Sequence, residues 1–141
     1  MKSYQNNSIK NLHKISVAPM MDCTDKHFRI MMRKISSKAL LYTEMIVAQS
    51  LIYTEKKEQF LNFNSEEHPL SIQFGGDNPK MLREAAKMAQ DWGYDEINFN
   101  VGCPSPKVCS GNFGASLMQE PTKVAKCIES VSYTHLRAHE T

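Results

Sequence analysis

Cys103 stands between Gly102 and Pro104, three residues after Asn100, in the stretch Asn98-Phe99-Asn100-Val101-Gly102-Cys103-Pro104-Ser105. A thiol with an ordinary pKa of about 8.5 is mostly protonated at neutral pH. Unless its surroundings depress that value, Cys103 suits proton donation better than attack as a thiolate. A Gly-Cys-Pro turn at a strand end faces a pocket, whereas Cys23 and Cys127 fit the commoner role of a small buried hydrophobe. Cys109, further along the same loop, has no assigned role. Three amides accompany the thiol. Gln73 lies just before Gly75-Gly76, and Asn98 and Asn100 interrupt an apolar run. Burying Gln73 and Asn100 without partners costs roughly 1–3 kcal/mol each, so they are expected to have something to bond.

The elements that must position these residues repeat. Four short apolar runs, at 15–18, 40–45, 70–74 and 96–101, start roughly 25 to 30 residues apart, the size of one βα unit. Helical stripes fill the gaps. Phe28, Met31, Met32 and Ile35 form one, with Thr24 placed to cap it. Met81, Leu82, Ala85, Ala86 and Ala89 form another, ending near Gly93. Val124, Cys127, Ile128 and Val131 form a third behind Pro121. Val47 to Tyr53 gives a weaker helical pattern, and 55–68 reads as a polar loop with a helical turn.

Alternating strands and helices imply a parallel sheet, either doubly wound or closed as a (β/α)8 TIM barrel. No GxGxxG follows the first run, which weighs against a dinucleotide-binding sheet. All four runs carry polar residues at or just past their C-terminal ends: Asp22 after Met20-Met21, Glu44, Gln73 and Asn100. A barrel gathers those ends at one mouth, where its active sites lie. Four βα units are half of a barrel that needs about 250 residues. The chain therefore reads as a barrel fragment, with closure of two copies as the alternative.

Composition narrows the class further. With 41% hydrophobic and 23% charged residues, the 141-residue chain can build one core and is not wholly disordered. No apolar run reaches the roughly 18 residues of a membrane span, and the polar opening stretch is no secretory signal. Four cysteines without CxxC spacing argue against zinc or a disulfide framework and point to a reducing, cytoplasmic setting. A net charge of +2 permits nucleic acid as partner without predicting it. Lys10, Lys14, Lys26, Arg29, Arg33 and Lys34 could touch RNA, although a solvated helix face is the commoner explanation. Gly111 and Gly114 indicate tight geometry in the long loop after the fourth run.

Read together, Ala18-Pro19-Met20-Met21-Asp22-x-Thr24-Asp25, Tyr42-Thr43-Glu44-Met45, Gln73-x-Gly75-Gly76 and Asn98-x-Asn100-Val101-Gly102-Cys103-Pro104-Ser105 resemble the ordered motifs of tRNA-dihydrouridine synthases. Glu67-His68-Pro69 and Gly111-x-x-Gly114-Ala115-x-Leu117-Met118 are most similar to the A-type branch. The resemblance implies a TIM barrel that binds FMN, takes electrons from NADPH and reduces the C5–C6 double bond of particular tRNA uridines, without an obligate protein partner. It places flavin contacts on Pro19, Met20, Met21 and Gln73, substrate contact on Asn100 and the proton donor on Cys103.

The resemblance covers about residues 13–131. It divides the chain into a flexible N-terminus (1–12), the N-terminal half of a flavin-binding barrel (13–131) and a tail (132–141) with no strand pattern, unlike the family and expected to be foreign sequence. The family's later catalytic lysine and histidine, phosphate-binding loops and helical RNA-binding domain have no counterpart here, so the chain alone is expected to be inactive. His135 and His139 have the spacing of a helical metal pair but no third ligand, and no metal is expected. Two alternatives stay open: a flavin barrel acting on free pyrimidines, and a non-catalytic fragment.

Overall fold

The computed structural model describes residues 14–132 and the backbone of 138–140. Its sheet is parallel throughout, with strands in the order β1 (Ser16–Val17), β2 (Leu40–Val47), β3 (Leu70–Gly75), β4 (Glu96–Phe99) and β5 (Ala138–Glu140). Helices α1 (Lys26–Ile35), α2 (Ala48–Tyr53), α3 (Lys57–Leu61), α4 (Pro79–Trp92), α5 (Pro106–Cys109) and α6 (Pro121–Ser132) fill the crossovers. Sequential parallel order with helical crossovers is the arrangement of a (β/α)8 barrel, and the fold is a part of one.

The two faces of the sheet differ in chemistry. Leu41, Leu70, Ile72, Phe74, Ile97 and Phe99 form one core cluster with Leu82, Ala85, Ala86 and Ala89 of α4 and Cys127 and Val131 of α6. The opposite face follows from the period of two. Tyr42, Ser71 and Glu96 lie in one register row, and Gln73 and Asn98 in the next. Asn78 caps α4 by accepting from Lys80 N and Met81 N, and Gly93 ends it at φ 94°. That positive φ is cheap for glycine and strained for other residues.

Several local expectations change. The cap of α1 is Asp25, whose carboxylate accepts from Phe28 N, because Thr24 Oγ1 is bonded to Met20 N and O instead. Of the expected stripe on α1, Met31 and Ile35 are exposed, while Arg29 is buried. Its Nε donates to Glu67 Oε2 over 2.5 Å and its Nη1 to Thr24 O over 2.8 Å. Arg33 likewise turns inward, donating to the carbonyls of Ser36, Ala39, Glu67 and Pro69. These two arginines serve the fold rather than an RNA-facing surface. The 55–68 stretch holds α3 and a 3-10 turn at Ser65–Glu67, with Leu61 and Glu67 fully buried.

β4 ends at Phe99 rather than Val101, because Asn100 begins a side-chain-bonded turn. At the other end of the chain, Ala138–Glu140 pairs with β4, where no strand pattern was expected. A three-residue strand is too short to show an alternating pattern, and its pairing depends on the edge that β4 presents. The expected flexible N-terminus (1–12), Lys10, His135 and residues 133–137 and 141 of the tail lie outside the described residues, as does the His139 side chain.

Candidate active site

The C-terminal ends of β3 and β4 carry a continuous chain of side-chain hydrogen bonds. Gln73 Nε2 donates to Asn98 Oδ1 over 2.6 Å, and Asn100 Nδ2 donates to Gln73 Oε1 over 3.0 Å. Asn100 Oδ1 in turn accepts from Gly102 N at 3.1 Å and Cys103 N at 2.9 Å. Gln73 is 4% exposed and Asn98 fully buried, so these bonds meet the partner requirement of buried amides. The sheet register explains the contact. Gln73 and Asn98 are direct cross-strand neighbours, and Asn100 N bonds Phe74 O one step beyond the ladder.

A β-bulge seats Gln73 from the other side. The register between β2 and β3 shifts between Tyr42 and Met45, which would leave the buried Gln73 N–H short of a ladder acceptor. Thr43 Oγ1 accepts it at 3.1 Å and donates onward to Glu44 O at 2.8 Å. In the row below, Tyr42 Oη donates to Glu96 Oε1 at 3.3 Å, and burial pushes this phenol up to about 12.

The turn bearing Cys103 is closed by backbone and glycine geometry. Ala115 N donates to Cys103 O at 2.9 Å, and Cys109 Sγ approaches the same carbonyl at 3.7 Å. Gly114 is buried at φ 65°. A Cβ there would lie 2.6 Å from Cys103 O and 2.4 Å from Val108 Cγ1. Gly111 is equally confined, since its Cβ would meet the Phe113 ring at 2.4 Å. Phe113 also closes over the end of β3, 3.0 Å from a Cβ built on Gly75. Cys103 is half-buried, and its backbone N–H joins it to the amide chain through Asn100 Oδ1. Cys127, by contrast, is fully buried, and burial pushes its thiol up to about 11.

Pro19, Met20 and Met21 follow β1 in a turn held by Thr24, with Met20 40% and Met21 60% exposed. Met21 lines one cavity with Thr43, Glu44 and Met45, which lie in the middle of β2 because the strand runs on to Val47 rather than ending near Glu44. No hydrogen bond among the described residues joins this turn to the amide chain. Thus Gln73, Asn100 and Cys103 form one connected group, and the methionine turn stands at the mouth beside it. Asn98, one of the three amides noted in the sequence, was given neither a flavin nor a substrate contact there, and the structure makes it the partner of Gln73. Its place two residues before Asn100, on the same strand face, was the signal that pointed to it.

Among the described residues, no three His, Cys, Asp or Glu side chains form a metal-holding group. Also among them, no helix is long and apolar enough to cross a membrane.

The dihydrouridine synthase (Dus) family model matches residues 16–134. Over 121 residues the chain is 53% identical to the tRNA-dihydrouridine(20/20a) synthase of Synechocystis sp., covering 86% of this chain and 36% of that relative. The Vibrio cholerae protein of the same name is 52% identical over 118 residues, 84% of this chain and 36% of its own length. That of Shewanella oneidensis is 48% identical over 126 residues, 89% and 37% respectively. The chain thus spans little more than a third of the length of these relatives. With the family match running from the first strand through the last helix and the amide chain at the strand ends, this chain belongs to the dihydrouridine synthase family.

Proposed function

We propose that these residues form the base- and flavin-facing part of an enzyme that reduces uridine to 5,6-dihydrouridine in tRNA, with FMN as cofactor and NADPH as reductant. The observation that carries this reading is the Asn98–Gln73–Asn100–Cys103 connection at the ends of adjacent parallel strands. It links an amide suited to a heterocycle with the backbone of the residue whose thiol is suited to proton transfer.

The residues fit a flavin ring. A primary amide has two N–H donors and an oxygen with two lone pairs. The described bonds of Gln73 use one N–H and one lone pair, which leaves capacity on both atoms for a ring carrying alternating donors and acceptors. The exposed Met20 and Met21 offer polarizable apolar contact beside it. When bound, FMN supplies the hydride. The chain's own groups do the rest. Asn100 and the closed loop hold the Cys103 thiol at the mouth, where it delivers a proton to C5 of the uracil ring as negative charge develops there. The target base must leave the RNA stack to reach this position. Such an enzyme works beside its tRNA in the cytoplasm, with no metal and no obligate protein partner.

The chain by itself is inactive and holds FMN weakly under this reading. Barrel enzymes frequently anchor phosphate on loops after strands seven and eight. Charge-assisted hydrogen bonds of that kind contribute about 1.5–3 kcal/mol each. Two or three fewer of them cost roughly three decades or more in affinity.

The test is an exchange of residues 14–132 into the Synechocystis relative, followed by assay with unmodified tRNA, FMN and NADPH. Dihydrouridine in the digested tRNA, absent from the Cys103→Ala variant, supports the reading. Reduction of free uracil or orotate with tRNA left unchanged overturns it in favour of a free-pyrimidine enzyme. No reduction of either would favour the non-catalytic alternative.

A further inference from the structure

A groove leaves the mouth and runs down the flank of the fold between α1 and α3. Its upper part, about 590 Å³, starts at Met21 and Glu44 and passes between His27 and Phe60. A second cavity of about 350 Å³ continues it toward Phe63 and Asn64, and the two share Lys26, His27 and Asn62. Among the described residues, its walls come from α1, β2 and the α3 segment.

Its chemistry selects among ligands. Arg29 is committed to Glu67 and the Thr24 carbonyl, which leaves Lys26 and His27 facing Asp25, Glu44 and Glu58. That mixture does not attract a run of phosphates. What the groove does offer is a phenyl ring, Phe60, left 40% exposed, with the exposed amides of Gln59 and Asn62 beside it. A neutral planar group with donors and acceptors on its edge matches such a surface, as unstacked bases do on aromatic side chains. Extrusion of the target base also strips its neighbour of one stacking partner.

We propose that this groove is a second nucleotide subsite, which seats an unpaired base flanking the target uridine. Phe60 stacks on that base and the amides of Gln59 and Asn62 read its edge. The inference rests on the reading of an RNA substrate above, and adds where the strand goes after it leaves the mouth.

Fluorescence anisotropy on the exchanged enzyme with tRNA tests it without requiring turnover. Phe60→Ala is expected to weaken tRNA binding about 10-fold, a value within the usual range for one base–aromatic stack. Phe60→Tyr keeps the ring and should restore affinity, which separates stacking from misfolding. An abasic site immediately 5′ or 3′ of the target uridine should weaken binding to a similar extent at one of the two positions. On that RNA, Phe60→Ala should cost nothing more. Unchanged affinity for Phe60→Ala, or penalties that multiply at both abasic positions, would overturn the subsite. Dihydrouridine formation is read in parallel. Its absence with the Phe60 pattern intact would sink the proposed reaction and leave the subsite standing.

Discussion

Gln73 and Asn100 share a 3.0 Å hydrogen bond across the ends of two neighbouring strands, with Asn100 Nδ2 donating to Gln73 Oε1. The other end of the Asn100 amide holds the backbone of Gly102 and Cys103. One side chain therefore fixes both the orientation of the Gln73 amide and the backbone that carries the thiol. The substrate-contacting role implied by family resemblance has to be met with the one N–H that these bonds leave over.

Replacement of Asn100 separates its two ends. Asn100→Ala removes the acceptor of two backbone N–H groups and should cost about 1–3 kcal/mol of stability, measured by denaturant unfolding. Asn100→Asp keeps that acceptor and loses the donor to Gln73. Its new carboxylate oxygen opposes Gln73 Oε1, so the variant should recover only part of the stability lost in the Ala variant while its flavin absorbance shifts. An Asp variant as unstable as the Ala variant would contradict this division.

Cys103→Ala in the exchanged enzyme should retain flavin and lose about 10²- to 10⁴-fold in turnover, the usual contribution of a general acid. Single-turnover reduction of tRNA checks it. Turnover at the unsubstituted rate would remove Cys103 from proton transfer, and loss of the flavin would make the loop structural.

Gly114→Ala should disturb the same loop from behind. The added Cβ meets Cys103 O at 2.6 Å, and φ 65° is strained for alanine. A destabilisation of about 1–3 kcal/mol is expected, with turnover reduced more than flavin affinity. Thermal unfolding and a flavin titration distinguish the two effects.

The Arg29–Glu67 pair is a structural keystone, with side chains 7% and 0% exposed. Glu67 Oε1 also accepts from Asn64 N at 2.7 Å. Glu67→Ala strands a buried guanidinium and should cost about 3–5 kcal/mol, read from the denaturation midpoint. Exposed Lys34 and Glu66 form a pair of the same length, 2.5 Å, yet Glu66→Ala should change stability by no more than about 1 kcal/mol.

Alkaline pH should destabilise the fold. Burial raises Cys127 from 9.0 to about 11 and Tyr42 from 10.0 to about 12, so the folded state holds these protons more tightly than the unfolded chain. Their contribution is complete below pH 9 and is lost as the pH rises through 11 to 12. Unfolding midpoints between pH 8 and 11 measure it, and Cys127→Val should flatten the lower part of the decline.

The βα repeat was legible in the sequence because its signals are local. The stripe of Met81, Leu82, Ala85, Ala86 and Ala89 ending near Gly93 marks α4, and the evenly spaced apolar runs at 70–74 and 96–101 mark strands whose hydrophobic faces meet the same helices. Gln73, Asn100 and Cys103 stood out because amides and a thiol at strand ends are costly or reactive unless something uses them. What the sequence could not carry was set by partners distant in the chain. Arg29 resembled a solvent-facing cation until Glu67, 38 residues away, took it into the core. Thr24 could not cap α1 once its hydroxyl was bonded to Met20. Asn98 became the anchor of Gln73 only through the β3–β4 register, 25 residues apart in sequence and 2.6 Å apart in space. Local propensity fixes which residues form each strand and helix. Cross-strand register and buried charge pairing, which exist only after the elements pack, determine which side chains meet.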